Sequence, residues 1–158
     1  MPTLKEEIIA RLQLDEPNYA SSAKVFGAEA LPILAELVSS EDEKLASRAT
    51  SLAGFINAPG SREIIELAAQ SSNPVIRVSA AGALRRLSTP TFENLPPQIL
   101  SSLLDDNDVS VRKLALRAVE VHRPLSVLEK VRELNERDPN PRLRGRASRI
   151  LSDMIGLQ

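Results

Sequence analysis

The chain has 158 residues, a net charge of −1 and neither Cys nor Trp. That length is one domain's worth and buries a substantial core, while the lack of Cys removes disulfide frameworks, thiolate metal sites and thiol nucleophiles and suits a reducing compartment. Aromatics stop at Tyr19, Phe26, Phe55 and Phe92, so the core must be built from Leu, Ile, Val and Ala, which favours helix-on-helix contact over a β-sandwich.

In chain order, Thr3 and Glu6 form a capping box ahead of a helix carrying Leu4, Ile8, Ile9 and Leu12 on one stripe, with its end expected near Leu14. After the Asp15-Glu16-Pro17 turn, a weaker helix runs through Tyr19, Ala23 and Phe26 and stops at Gly27. The next pair begins near Ala28, with Pro32 in the first turn, and buries Ile33 or Leu34 with Leu37 and Val38. Its partner helix is capped by Asp42 and carries Leu45, Ala49, Leu52, Ala53 and Ile56 before the Asn57-Ala58-Pro59-Gly60 stop. A third pair has Ser61 as the expected cap of Ile64, Ile65 and Ala68, then Asn73 as N-cap and Pro74 in the first turn of a helix with Ile76, Ala80, Ala83, Leu84 and Leu87 inward. Residues 88–95, STPTFENL, are expected as a connection in which Phe92 and Leu95 fold over the gap between pairs. The fourth pair starts at Pro96-Pro97 with Ile99, Leu100, Leu103 and Leu104, and continues from Asp108 through Val111, Ala115, Ala118, Val119 and His122. The fifth runs from Pro124 through Val127, Leu128, Val131 and Leu134, turns at Asp138-Pro139-Asn140-Pro141, and finishes with Leu143, Ala147, Ile150, Leu151 and Met154, with Gly156 as a C-terminal cap.

The stripes of the second helices start at Leu45, Ile76, Val111 and Leu143, at offsets of 31, 35 and 32 residues, and each repeats at +4, +7, +8 and +11. A fixed pattern at a near-fixed spacing is the signature of a solenoid, in which stacking completes a core that no single pair can bury. The stretch Asn73 to Leu87, NPVIRVSAAGALRRL, with its Asn-Pro turn and Val75-x-Arg77-x-x-Ala80-x-x-Ala83-Leu84 run, resembles the second helix of a HEAT repeat, in particular the short bacterial HEAT-like repeats of phycobilin lyases. The resemblance implies an all-α fold, a right-handed α-α superhelix (HEAT-like solenoid) of about five helical hairpins. It divides one HEAT-like domain, residues 1–158, into a degenerate capping copy at 1–27 and copies at 28–60, 61–95, 96–123 and 124–158. Tetratricopeptide and ankyrin repeats fit less well, for want of the aromatic pattern and of Thr-Pro-Leu-His.

Asp106 with Arg112 and Asp138 with Arg144 share a spacing of six and resemble the Asp and Arg that ladder neighbouring HEAT repeats; Arg77 stands at the same position, with Ser71 replacing its acid. These arginines are read as structural. Opposite the stripes lie Ser47, Ser51 and Gly54, then Val78, Gly82 and Arg85, then Lys113, Arg117 and Glu120, then Gly145, Arg149 and Ser152. In HEAT-like solenoids the second helices line the concave side, so the resemblance places these residues in a groove. Arg85, Lys113, Arg117 and Arg149 are the expected anchors for the acidic segment of a partner protein.

Charge is uneven. Residues 1–76 hold 6 Lys/Arg against 11 Asp/Glu and residues 77–158 hold 14 against 10, so the halves carry −5 and +4. The cluster Arg137, Arg142, Arg144, Arg146 and Arg149 raises nucleic-acid binding as an alternative, and HEAT-like folds include DNA glycosylases that hold duplex DNA in a basic groove. Against it stand the acidic first half and the absence of Trp for contact with an exposed base. A lone His122 rules out a multi-histidine metal centre and is assigned to a helix-end hydrogen bond. The acidic turns Glu41-Asp42-Glu43 and Asp105-Asp106-Asn107-Asp108 lack the Gly and distal Glu of a calcium loop and are read as helix caps. No residue carries over as catalytic from phycobilin lyases, and no cofactor or metal is expected.

The expectation is a non-catalytic protein-interaction scaffold or adaptor. The alternatives are a nucleic-acid-binding or repair-associated module and an accessory subunit of a modifying enzyme, as in a phycobilin-lyase-like complex. The start, MPTLKEEIIARLQ, is not a secretory signal, and no run approaches the ~20 apolar residues of a membrane span, so the cytoplasm is the expected location.

Overall fold

The computed structural model describes residues 1–156, among which no strand occurs. The helices are α1 (Leu4–Leu12), α2 (Tyr19–Phe26), α3 (Leu31–Val38), α4 (Glu43–Ile56), α5 (Ser61–Ala69), α6 (Pro74–Leu84), α7 (Thr89–Glu93), α8 (Pro97–Leu104), α9 (Val109–His122), α10 (Leu128–Arg137) and α11 (Pro141–Gly156), with 3-10 turns at Gly27–Ala30 and Leu125–Val127. The expected all-α solenoid of about five helical hairpins is what forms. The first helices α3, α5, α8 and α10 stack on one another, and the second helices α2, α4, α6, α9 and α11 do the same alongside them. A single apolar core runs from Ile8 to Met154 through every layer.

The turns explain why the second helices start where they do. Asn18, Asp42, Asn73, Asp108 and Asn140 each accept a backbone N–H of the first helical turn through the side chain, which satisfies donors that have no partner within the helix. Two residues earlier, Ser40, Ser71, Asp106 and Asp138 accept the N–H of the capping residue in the last four of these turns. The expected ends hold at Thr3 with Glu6, a complete capping box, and at Gly27, which takes φ 59°.

Several expectations are corrected. α1 ends at Leu12 rather than Leu14. Ser61 is not a cap: it is the buried first residue of α5, and its hydroxyl accepts the N–H of Ala58. The 88–95 connection contains a helical turn, α7, with Phe92 and Leu95 buried as expected. Gly156 is the last helical residue of α11, and the expected end of the last copy at residue 158 lies outside the described residues.

Gly54 is the most informative correction. The helical spacing puts it on the open face, yet it is buried against α6: a Cβ there would lie 2.8 Å from the Ala83 Cβ and 3.2 Å from its Cα. The stripe is therefore wider than a +4, +7, +8, +11 pattern, and Thr50, Ala81 and Leu116, one residue past the +4 position, are also fully buried.

The ladder forms between layers. Arg77 Nε and Nη2 bond the two carboxylate oxygens of Asp106 at 2.7 and 3.1 Å, while Nη1 bonds the Ser71 carbonyl at 2.9 Å. Arg112 repeats this one layer on, gripping Asp138 at 2.9 and 3.2 Å and bonding the Asp106 carbonyl at 2.9 Å. Each guanidinium thus closes its own turn through the carbonyl six residues back and reaches the next turn through a bidentate carboxylate bond. Burial pushes the Asp106 carboxyl up, but the hydrogen bonds from Arg77 and from the Asp108 N–H outweigh it and hold the group below the usual aspartate value. Where Ser71 replaces the acid, the arginine that would meet it is also absent, since Ala46 fills that place. At that junction Asn73 Nδ2 donates to the Glu43 carboxylate at 2.7 Å, whereas Arg48 ties α4 to the preceding layer, donating to the carbonyls of Leu12 and Leu14, both at 2.6 Å.

Candidate partner-binding groove

Between α9 and α11 runs an open groove of about 730 Å³. Lys113 and Arg117 line it from one turn to the next of α9, and Arg142, Arg146 and Arg149 do so from α11, because residues three or four apart share a helix face. Ser110 and Asn140 close the end near the turn. The walls hold five cations and no carboxylate, and none of the five forms an ion pair or a side-chain hydrogen bond among the described residues. Gly145 belongs to the same lining, and a Cβ there would meet nothing within 4 Å, so packing does not require this glycine. Glycine inside a helix costs roughly 1 kcal/mol relative to Ala, and here the missing side chain keeps that part of the groove open.

Three of the four expected anchors, Lys113, Arg117 and Arg149, come together in this groove. Arg85 does not join them. It lies beside a smaller hollow of about 310 Å³ formed by α2, α4, α6 and α9, together with Tyr19, Ser51, Phe55, Gly82 and Arg86. Arg86 sits 4.1 Å over the Phe55 ring, and Tyr19 stacks on the same ring at 5.5 Å. Burial, with the adjacent Arg85 charge, lowers the Arg86 guanidinium below its ordinary value, and burial raises the Tyr19 hydroxyl. Sequence reasoning missed this stack, because its members come from α2, α4 and the turn after α6 and share no local spacing.

The arginine cluster divides. Arg142, Arg146 and Arg149 face the groove, Arg144 bonds the Asp138 carbonyl in the ladder, and Arg137 ends α10. His122 Nε2 lies 2.9 Å from the Leu84 carbonyl at the end of the adjacent helix α6, and its ring stacks on Phe92 at 4.0 Å. The acidic turns are equally occupied: Asp108 caps α9, Asp105 pairs with Lys130 at 2.8 Å, and Glu43 accepts from Asn73 at 2.7 Å. Among the described residues, no helix is long and apolar enough to cross a membrane.

No protein-family model matches the chain, and no curated protein is detectably similar to it in sequence. Among solved structures, the chain is similar to one in the complex of CpcE and CpcF of phycocyanin lyase from Nostoc sp. PCC7120, with a TM-score of 0.75 and 18% identity over 92% of this chain and 96% of that one. At that identity the likeness shows the helical solenoid fold.

Proposed function

We propose that this chain is a non-catalytic interaction scaffold that holds an acidic segment of a partner protein in the groove between α9 and α11. The observation that carries the reading is the set Lys113, Arg117, Arg142, Arg146 and Arg149, five cations around one open groove with no acid among its lining residues. Such a surface raises the local concentration of an anionic partner and speeds its encounter. The carboxylates of one acidic helix face, spaced by three and four, match cations spaced the same way along α9 and α11. Rigidity comes from the ladder: Arg112 and Arg144 fix the turns at which α9 and α11 begin, so the walls are set before a partner arrives. Arg85, one layer away, extends the cationic edge toward the Phe55 hollow.

The accessory-subunit reading is a special case of the same mode. A solved chain of the same fold belongs to a complex of two lyase subunits, and a scaffold that presents a partner to such chemistry needs only the groove described above. The nucleic-acid alternative rests on the same cations and is separated by experiment. Binding of a fluorescein-labelled acidic helical peptide and of a short DNA duplex is measured by anisotropy at low and high salt, for the native chain and for the double variant R117E/R149E. The proposal expects peptide binding that the double variant loses. Equal peptide binding by native chain and variant rejects the groove, and tight duplex binding with a steep salt dependence, without peptide binding, gives the site to nucleic acid.

A further inference from the structure

The second helices can be superposed in sequence on their capping residues Asn18, Asp42, Asn73, Asp108 and Asn140. Seven residues past the cap stand Val25, Ala49, Ala80, Ala115 and Ala147; the four alanines are fully buried, whereas Val25 is 59% exposed. Eight past the cap stand Phe26, Thr50, Ala81, Leu116 and Ser148; here the first four are buried and Ser148 is exposed. One position therefore faces the preceding layer and the other the following layer. Each is uncovered at one end of the stack only.

The rungs run from Arg77 to Asp138, and each end of the stack carries one unmatched ladder group. Arg144 donates Nη1 to the Asp138 carbonyl at 2.6 Å, as Arg77 and Arg112 do in their turns, but its Nε and Nη2, which in those residues grip a carboxylate, have no partner among the described residues. Along the same edge of α11 lie Ser148, the half-buried Leu151 and Ile155, which is 42% exposed. At the other end, Glu16 stands two residues before the cap Asn18, the place of Asp106 and Asp138 in their turns. It is exposed and forms no ion pair among the described residues, and Leu14 beside it is 53% exposed. One end offers a guanidinium with two idle donors, and the other offers the carboxylate for which the ladder geometry has a place.

We infer that these two ends dock: the α11 edge of one copy of this chain receives the α1–α2 end of a second copy, stacked head to tail, with Glu16 of the second copy filling the rung opened by Arg144. The charges of the halves, −5 and +4, favour that order of approach over head to head or tail to tail. The apolar part of the contact sets Leu151 and Ile155 against Val25 and Leu14; the counterparts of Leu151 (Ala53, Leu84 and Val119) and of Val25 (Ala49, Ala80 and Ala115) are buried inside the chain by the same stacking. A head-to-tail contact is heterologous, so it extends into a filament or closes into a ring rather than stopping at a two-fold dimer.

Sedimentation velocity over a concentration series at low salt tests this. The native chain is expected to associate progressively, and R144E and E16R each to remain monomeric with unchanged helical circular dichroism. Mixed in equal amounts, the two variants restore association, because each junction in the mixture again pairs an acid with an arginine. A native chain that stays monomeric throughout, an R144E chain that associates like the native one, or a mixture that fails to recover overturns the inference.

Discussion

Replacing Arg112 by Ala removes four hydrogen bonds, two to the Asp138 carboxylate and two to the carbonyls of Asp106 and Asn107. What remains is a carboxylate whose side chain is 1% exposed, with only the Asn140 N–H still donating to it. Leaving one member of a buried ion pair unpaired costs about 3–5 kcal/mol, and in a chain of this size each kcal/mol lowers Tm by roughly 2–4 °C. The expected loss for R112A is therefore about 6 °C or more. Arg144 provides the internal control. It makes the same bond to the carbonyl of its own turn but grips no carboxylate, so R144A is expected to cost only the roughly 1 kcal/mol of a single net hydrogen bond. Both variants are followed by thermal unfolding, with hydrogen exchange reporting whether α10 and α11 loosen ahead of the rest. Equal shifts for R112A and R144A would refute the argument, since the carboxylate grip is the part they do not share.

At the α4–α6 contact, G54A is expected to destabilise by up to about 2 kcal/mol, because a Cβ 2.8 Å from that of Ala83 forces the helices apart, and overpacking of roughly 1–3 kcal/mol exceeds a helix-propensity gain of about 1. Adding Ala83→Gly should recover part of the loss in urea denaturation, and a stabilising G54A would disprove the contact. For Asp106, the folded carboxyl lies below its ordinary value of 3.8. Its stabilisation is then complete above that value and is lost as pH falls through the folded value. D106N should flatten the acid limb of the Tm–pH curve, and an acid limb identical to that of the native chain would show that the Arg77 pair carries no such linkage.

The core was legible because it is written in a short period. Ile76, Ala80, Ala83, Leu84 and Leu87 announce one helix face, and the same intervals at Leu45, Val111 and Leu143 announce that such faces stack. The caps Asp42, Asn73 and Asp108 were legible for the same reason, since a cap and the N–H it bonds lie two or three residues apart. The width of the buried face was not: Gly54 is covered by Ala83 of α6, and Ala81 is buried beside it in the stack, by neighbours that a single-helix projection does not contain. The ladder was half legible. The spacing of six marks the bond to the carbonyl of the same turn, whereas the carboxylate partners lie 29 and 26 residues away, a register that insertions between layers disguise. For the groove, Lys113 and Arg117 could be placed from α9 alone, and Arg149 from α11. That Arg142 and Arg146 join them, and that Arg85 does not, depends on how those two helices lie side by side.

Small buried side chains gather in the second helices of the middle layers, beside Leu52 and Leu84. Ala46, Ala49 and Ala53 in α4 and Ala80, Ala81 and Ala83 in α6 are small, whereas Leu34 and Leu37 in α3, Ile64 and Ile65 in α5, and Leu100, Leu103 and Leu104 in α8 are large. A hairpin that is thin along one helix and thick along the other is a wedge, and wedges laid face to face make an arch. The bend is then carried by residues that touch no ligand, and exchanging alanine for leucine along the inner rim would straighten the arch and spread the cationic residues apart without altering any of them.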